Sequence, residues 1–341
     1  MSEVEAHVTD RHPDVKICEM SPRDGLQYLG GTTGKVVPLE PRVRLVNALI
    51  AAGLRHIEVG AFVSPKGTPQ MALSDDLGRQ LDPQQAPGLE LVALVPNEAG
   101  YRRFVDTRLN VVAIFPTASE IHARKNFGGR SVDEVLAMAG DVAQRAHADG
   151  YALRGHVSAA FQDMVVAAGK SDLTTVVRVC RTMLNDFGCP YLTLADTNGT
   201  TNPTRVGEVL EEVGDALGGL SRIGVHLHDR NGMGIANAYS AWLRGVRIFD
   251  ASLGGVGGSV AASVASGGDG TQMVGNIATE SLVAMFEGMG VNTGVDLDSL
   301  VSNAGPMLNE ICLEAGDFSP PSPMLRERLG YGVVWGKTPR R

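Results

Sequence analysis

Residues 191–229 read "YLTLADTNGTTNPTRVGEVLEEVGDALGGLSRIGVHLHD". A short apolar run ends on Asp196, and a second, "IGVHLHD", closes the stretch. Between them "NPTRVGEVLEEVGDAL" repeats apolar residues at three- and four-residue spacing, the period of a helix. Strand, helix and strand with no hairpin signal form a parallel βαβ unit. The unit recurs in both directions. Strand-like runs occupy 15–20 ("VKICEM"), 56–60 ("HIEVG"), 89–96 ("LELVALVP"), 110–116 ("NVVAIFP"), 151–158 ("YALRGHVS") and 248–253 ("IFDASL"). Helix-like stretches such as "LEPRVRLVNALIAAG" and "SVDEVLAMAGDVAQRAHADG" separate them, and several stop at a glycine (Gly53, Gly150, Gly188). Eight such units predict an α/β fold that closes as a (β/α)8 TIM barrel over residues 15–295. An open doubly wound sheet would more often show a GxGxxG turn after its first strand, and none follows here. Residues 1–14 read as an N-terminal tail. Residues 296–341 read as a C-terminal helix and loop extension outside the barrel, a cap or a dimer contact.

Composition narrows the function. A hydrophobic fraction of 43% supplies a core, and a charged fraction of 20% argues against disorder. The net charge of −8, with Lys and Arg scattered, points away from nucleic acid and from membrane surfaces. Four cysteines without CxxC or disulfide-framework spacing suit a reducing compartment. The polar, acidic start "MSEVEAHVTDRHPD" resembles neither a secretory signal nor a transit peptide, and no apolar run approaches the length of a membrane span. The expectation is a soluble, cytoplasmic enzyme or binding protein.

In a barrel, function belongs at the C-terminal ends of the strands, and the polar residues gather there. In "VHLHD", His226 and His228 are two apart and would share a face of their strand. Two imidazoles side by side suit a divalent metal, although an isolated HxH pair is as well explained by polar residues at a strand end. Asp24 after the first strand and Asn276 after the eighth would join them in a mixed nitrogen and oxygen set. Such a set fits Mg²⁺ or Mn²⁺ in an open site better than structural zinc. "SPRDGLQ" places Arg23 beside Asp24, where a fixed cation would stabilise charge growing on a substrate oxygen; the alternative is a surface turn built on Pro22 and Gly25. Glu58 lies on an otherwise apolar strand, so it is either half of a salt bridge, with Arg23 a candidate partner, or directly catalytic.

These residues, in this order, resemble the 3-hydroxy-3-methylglutaryl-CoA lyase family. The resemblance runs through "ICEMSPRDGLQ", "HIEVGAFVSPKGTPQMA", "FPTASEIHARKNFGGRSVDEVL", "LADTNG", "HLHDRNGMGIANA" and "GNIATESLV". It implies a divalent-metal-dependent carbon–carbon lyase that cleaves a 3-hydroxyacyl-CoA, or a related 3-hydroxy acid, by a retro-Claisen or retro-aldol step through a metal-stabilised enolate. It implies one Mg²⁺ or Mn²⁺ held by Asp24, His226, His228 and Asn276, with Arg23, Gln27 and Thr197 as substrate contacts. Arg23, Glu58 and His226 would be catalytic. The small-molecule partner would be an acyl-CoA and the assembly a homodimer.

The resemblance breaks in "GGVGGSVAASVASGGDGTQMVGN", residues 254–276. The family carries a catalytic cysteine where Ser259 stands, and the chain from Ser259 to Asn276 is longer than the family's. A serine hydroxyl is a much weaker acid than a thiol. Asp269 is the one ionisable side chain of the stretch, which makes Ser259 and Asp269 the candidates for proton transfer. The glycines suit a rebuilt lid over the barrel mouth; the alternative is a slack insertion. The segment "SAAFQDMVVAAGKSD" after strand five also departs from the family's, as does Ser281 at a helix start. Two other readings follow: a Claisen-type condensing enzyme, which would usually show an acid–Arg pair where this chain has "TQMVGN", and a non-catalytic barrel that binds metal and ligand.

Overall fold

Eight short strands pair in parallel and in chain order: β1 (Lys16–Glu19), β2 (His56–Ala61), β3 (Glu90–Leu94), β4 (Val111–Ile114), β5 (Ala152–Val157), β6 (Leu192–Asp196), β7 (Ile223–Leu227) and β8 (Ile248–Ala251). β8 returns to β1, with Cys18 opposite Asp250, so the sheet is a closed barrel. All eight expected strands form; seven are trimmed by one to three residues and β2 runs one residue further. The computed structural model describes residues 13–27, 29, 35–163, 169–230, 232–258, 274–316 and 322–329.

Helices cover the outside of the barrel: α1 (Leu39–Ala51), α2 (Ser74–Gln80), α3 (Glu98–Phe104), α4 (Glu120–Asn126), α5 (Val132–Ala148), α6 (Leu173–Arg181), α7 (Pro203–Leu217), α8 (Gly234–Leu243) and α9 (Thr279–Gly288). Their ends are set by local chemistry. α5 begins with a capping box in which Ser131 and Glu134 each accept the other's backbone N–H. In α7, Asn202 accepts the Arg205 N–H at 3.0 Å, Pro203 fixes the first turn, and Gly218 ends the helix in the left-handed region.

Alternation along the strands sends Ile57, Val59, Leu192, Leu194, Val225 and Phe249 into one continuous apolar core against these helices. The opposite face of the same strands turns Glu58, Arg154, His156, Thr193, His226 and Asp250 towards one another inside the barrel. Most barrels fill that interior with branched apolar side chains. Here it holds an ion network.

Beyond the barrel, α10 (Gly305–Ala315) and α11 (Pro323–Arg328) join the same core through Leu308, Ile311, Ala315 and Leu325. Ser322 donates to Glu280 at the start of α9, and Gly254 after β8 accepts the Ser322 N–H at 3.1 Å. The extension therefore braces the base of the β8 loop from the side.

Candidate active site

The first element of the site is a surprise of burial. Ser21–Gly25 forms one π-helical turn directly after β1, with Ser21, Pro22, Arg23 and Gly25 buried. The surface-turn reading of "SPRDG" is thereby corrected. The turn can be buried because its charges are matched: Arg23 Nε donates to Glu58, and Arg23 Nη1 lies 2.5 Å from Asp24 Oδ1. Gln27 Oε1 is 3.4 Å from the same Nη1. Burial opposes the charge on Asp24, yet the Arg23 guanidinium holds its carboxyl well below the usual carboxylate range.

The histidine pair comes from the opposite seam of the barrel. His226 is on β7. His228 is not: β7 ends at Leu227, and His228 instead pairs with Asn276 in an isolated antiparallel bridge. The shared-strand expectation fails at that residue, and the convergence survives, with the two Nε2 atoms 3.1 Å apart. Each Nε2 lies 3.9 Å from Asp24 Oδ2, and Asn276 Nδ2 donates to that oxygen at 2.8 Å.

The outer nitrogens fix the tautomers. His226 Nδ1 is 3.1 Å from Asp250 Oδ2, and His228 Nδ1 is 2.8 Å from the Val274 carbonyl oxygen. Burial opposes charge on Asp250, but Arg154 pulls its pKa down to about 2, so it is an ionised acceptor. Both Nδ1 atoms therefore carry a proton, so the neutral form of each ring turns its Nε2 lone pair towards the other Nε2. Burial, followed by the field of His226, pushes His228 down to about 4, which keeps it neutral. Asn276 Oδ1 is buried and unpartnered. Two nitrogen lone pairs, a carboxylate and an orphaned amide oxygen lack a shared donor, and a cation is what satisfies them together. Asp24, His226 and His228 offer ligand atoms within 4.8 Å of one another. The residues present fit a divalent ion.

The glycines beside the site have a positional reason. A Cβ on Gly257, at φ +129°, would fall 2.3 Å from Asn276 Nδ2, and one on Gly275 would fall 1.9 Å from the Gly255 carbonyl oxygen. The two ends of the loop must touch to seat Asn276. Ser259 and Asp269 lie outside the described residues, as do residues 164–168 of the segment after β5.

Behind the site, Glu58 is fully buried and accepts from Arg23 and from His156 Nε2 at 2.9 Å, with Arg154 Nη1 3.7 Å away. Its geometry is that of the salt bridge rather than of a group facing substrate. Arg154 bridges Glu58 to Asp250 and makes no contact with solvent. Thr197 lines the cavity while its hydroxyl accepts the Ala159 N–H at 3.0 Å. Sequence reasoning missed Arg154, His156 and Asp250. The signal was present: each is a polar residue on an apolar strand, the same reason that singled out Glu58.

Arg23, Asp24, His226 and His228 open into a cavity of about 510 Å³ whose other walls come from the ends of β5 and β6 and from the segments after β2, β3, β4 and β8. The HMGL-like family model matches residues 14–305, the whole barrel and the site. The chain belongs to the HMGL-like family. It is 37% identical over 286 residues to the hydroxymethylglutaryl-CoA lyase of Pseudomonas mevalonii, covering 84% of this chain and 89% of that protein. It is 36% identical to the (R)-citramalyl-CoA lyase of Chloroflexus aurantiacus, covering 84% and 88%. The crystal structure of hydroxymethylglutaryl-CoA lyase from Pseudomonas aeruginosa superposes with a TM-score of 0.81 at 32% identity, covering 94% of this chain and 99% of that one. These HMGL-like relatives are carbon–carbon lyases, and so is this chain. That sets aside the non-catalytic reading. No helix among the described residues is long and apolar enough to cross a membrane.

Proposed function

We propose that the chain cleaves a 3-hydroxyacyl-CoA of the 3-hydroxy-3-methylglutaryl type, or a related 3-hydroxy acid, with Mg²⁺ or Mn²⁺ held by Asp24, His226, His228 and Asn276. The observation that carries this is the convergence of the two Nε2 atoms and the Asp24 carboxylate beside the Asn276 oxygen, next to Arg23. When bound, the ion supplies Lewis acidity that lowers the pKa of a substrate hydroxyl and polarises a carbonyl.

The chain's own residues do the rest. Cleavage turns the C3 hydroxyl into a carbonyl, breaks the C2–C3 bond and leaves an enolate on the departing acyl group, which then takes a proton. Arg23 reaches the cavity with a guanidinium held by Glu58 and Asp24, so its charge is in place before the enolate oxygen develops. Asp250 and the Val274 carbonyl hold the two imidazoles in the tautomer that leaves Nε2 free. Gln27, beside Arg23, and Thr197, after β6, line the cavity as the proposed substrate contacts. Ser259 and Asp269 are the proposed proton-transfer groups in place of a loop thiol. The proposed assembly is a homodimer in the cytoplasm.

The test is a panel of 3-hydroxyacyl-CoA thioesters and their free acids incubated with Mn²⁺ or Mg²⁺, with acetyl-CoA and keto products as the readout. Cleavage of a thioester is expected. Cation-loaded protein that cleaves no member of the panel would overturn the reading.

A further inference from the structure

A buried carboxylate outside the cavity joins the segments that carry two of the cation ligands. Glu19 is the last residue of β1, and alternation puts it on the face from which Ile17 enters the apolar core. It is fully buried, and three donors from three different segments hold it. Oε1 accepts the Ser21 N–H at 2.8 Å and the Leu253 N–H at 2.9 Å, and Oε2 accepts the Thr279 hydroxyl at 2.6 Å. Ser21 opens the π-helical turn that presents Arg23 and Asp24. Leu253 begins the short turn that leaves β8. Thr279 starts α9, three residues after Asn276. The same three segments meet a second time at the site, where Asn276 Nδ2 donates to Asp24 Oδ2 at 2.8 Å and to the Val256 carbonyl oxygen at 3.1 Å. A carboxylate taken out of water is costly, and burial raises the Glu19 pKa although all three donors act against the rise. What it returns for that cost is the junction.

We infer that Glu19 is a positioning residue for the cation site: through Ser21, Leu253 and Thr279 it sets Asp24 and Asn276 at ligand distance before an ion arrives. Glu19 is not among the residues that line the cavity, so it acts through these segments alone. The junction calls for acceptors rather than for charge. A glutamine oxygen can take both backbone N–H groups while its amide faces the Thr279 hydroxyl, which can accept. A methionine has similar bulk and makes none of the three bonds, so two backbone N–H groups are left buried and unmatched. The inference rests on the cation site of the lyase reading and goes beyond it in naming what builds that site.

The experiment titrates the metal-free full chain with Mn²⁺ by calorimetry and compares crystal structures of metal-free wild type and variants. Glu19→Met is expected to weaken Mn²⁺ binding by roughly 10–100-fold and to open the Asp24–Asn276 contact by more than about 1 Å. Glu19→Gln should stay within about 3-fold of wild type, because the bonds are kept. Thr279→Val removes the Oε2 bond alone and should cost about 3–10-fold, the worth of one hydrogen bond; it serves for both measurements if Glu19→Met folds poorly. Val142→Ala, a cavity in the core beneath α5, controls for lost stability and should lower the unfolding midpoint with Mn²⁺ affinity unchanged. Wild-type affinity in Glu19→Met, a Glu19→Gln as weak as Glu19→Met, or an equal loss in Val142→Ala overturns the inference. Unchanged affinity with an intact Asp24–Asn276 contact removes the inference and leaves the cation reading standing. Wild type that takes up no Mn²⁺ removes the cation reading, and an opened contact in Glu19→Met then still supports the inference; an intact contact there removes both.

Discussion

The Nε2 atoms of His226 and His228 stand 3.1 Å apart, and in each ring Nδ1 faces an acceptor behind it, so the neutral rings turn two Nε2 lone pairs towards each other. Left alone, two lone pairs at that distance repel. The barrel holds them there with the buried Asp250 carboxylate on one side and the β8 loop on the other. Asp250→Asn should therefore weaken Mn²⁺ binding by roughly 10–100-fold, as loss of a group that orients a metal-bound histidine does. Calorimetric titration of the metal-free variant checks it.

Arg23 makes directional bonds to Glu58 and Asp24 through two different nitrogens. A lysine ammonium cannot reproduce that fork. Both Arg23→Lys and Arg23→Met are expected to lower kcat by about 10²–10³-fold, the cost of removing a donor from a developing oxyanion. A lysine variant within a few-fold of wild type in steady-state turnover would show that only the charge matters.

The ion network inside the barrel has a stability consequence. Arg154 is fully buried between Glu58 and Asp250, and truncating it strands two carboxylates away from water. Arg154→Met should destabilise the fold by about 3–5 kcal/mol in urea unfolding, the range for breaking a buried pair by removing one partner. This loss should appear with the protein metal-free.

Asp196, at the end of β6, has one carboxylate oxygen buried without a partner. Burial raises its pKa to about 6, although the Thr201 N–H and its neighbours donate to it. The folded state thus keeps a proton that the unfolded chain releases near pH 4, so this group makes the fold less stable as pH rises from about 4 to about 6. Asp196→Asn removes the titration. Its melting temperature relative to wild type, measured in EDTA, should climb across that window; a constant difference would contradict the assignment.

The loop base offers a steric test. Gly257→Ala would place a methyl group 2.3 Å from Asn276 Nδ2 in a backbone region unfavourable to alanine. Cation affinity should fall, and the melting temperature of the metal-free protein should fall with it, since the strain at φ +129° is present with or without the ion.

All eight strands were legible because each is a short β-branched or apolar run between amphipathic helices, and the barrel follows from their number. The convergence of Asp24, His226, His228 and Asn276 was legible because they follow strand ends. Two things were less legible. The burial of "SPRDG" was half legible: Arg23 was a candidate partner for Glu58, 35 positions away, yet a run of turn residues reads equally as surface. The network of Arg154, His156, Thr193 and Asp250 depends on which strand residues face inward together, and spacing within one strand does not reveal partners on another.

The most direct test of the central claim is an anomalous difference map from crystals of the chain grown with Mn²⁺. A single strong peak contacting His226 Nε2, His228 Nε2, Asp24 and Asn276 Oδ1 is the result expected. Absence of a peak at that cluster, with Mn²⁺ present at saturating concentration, would contradict the cation site and the chemistry built on it.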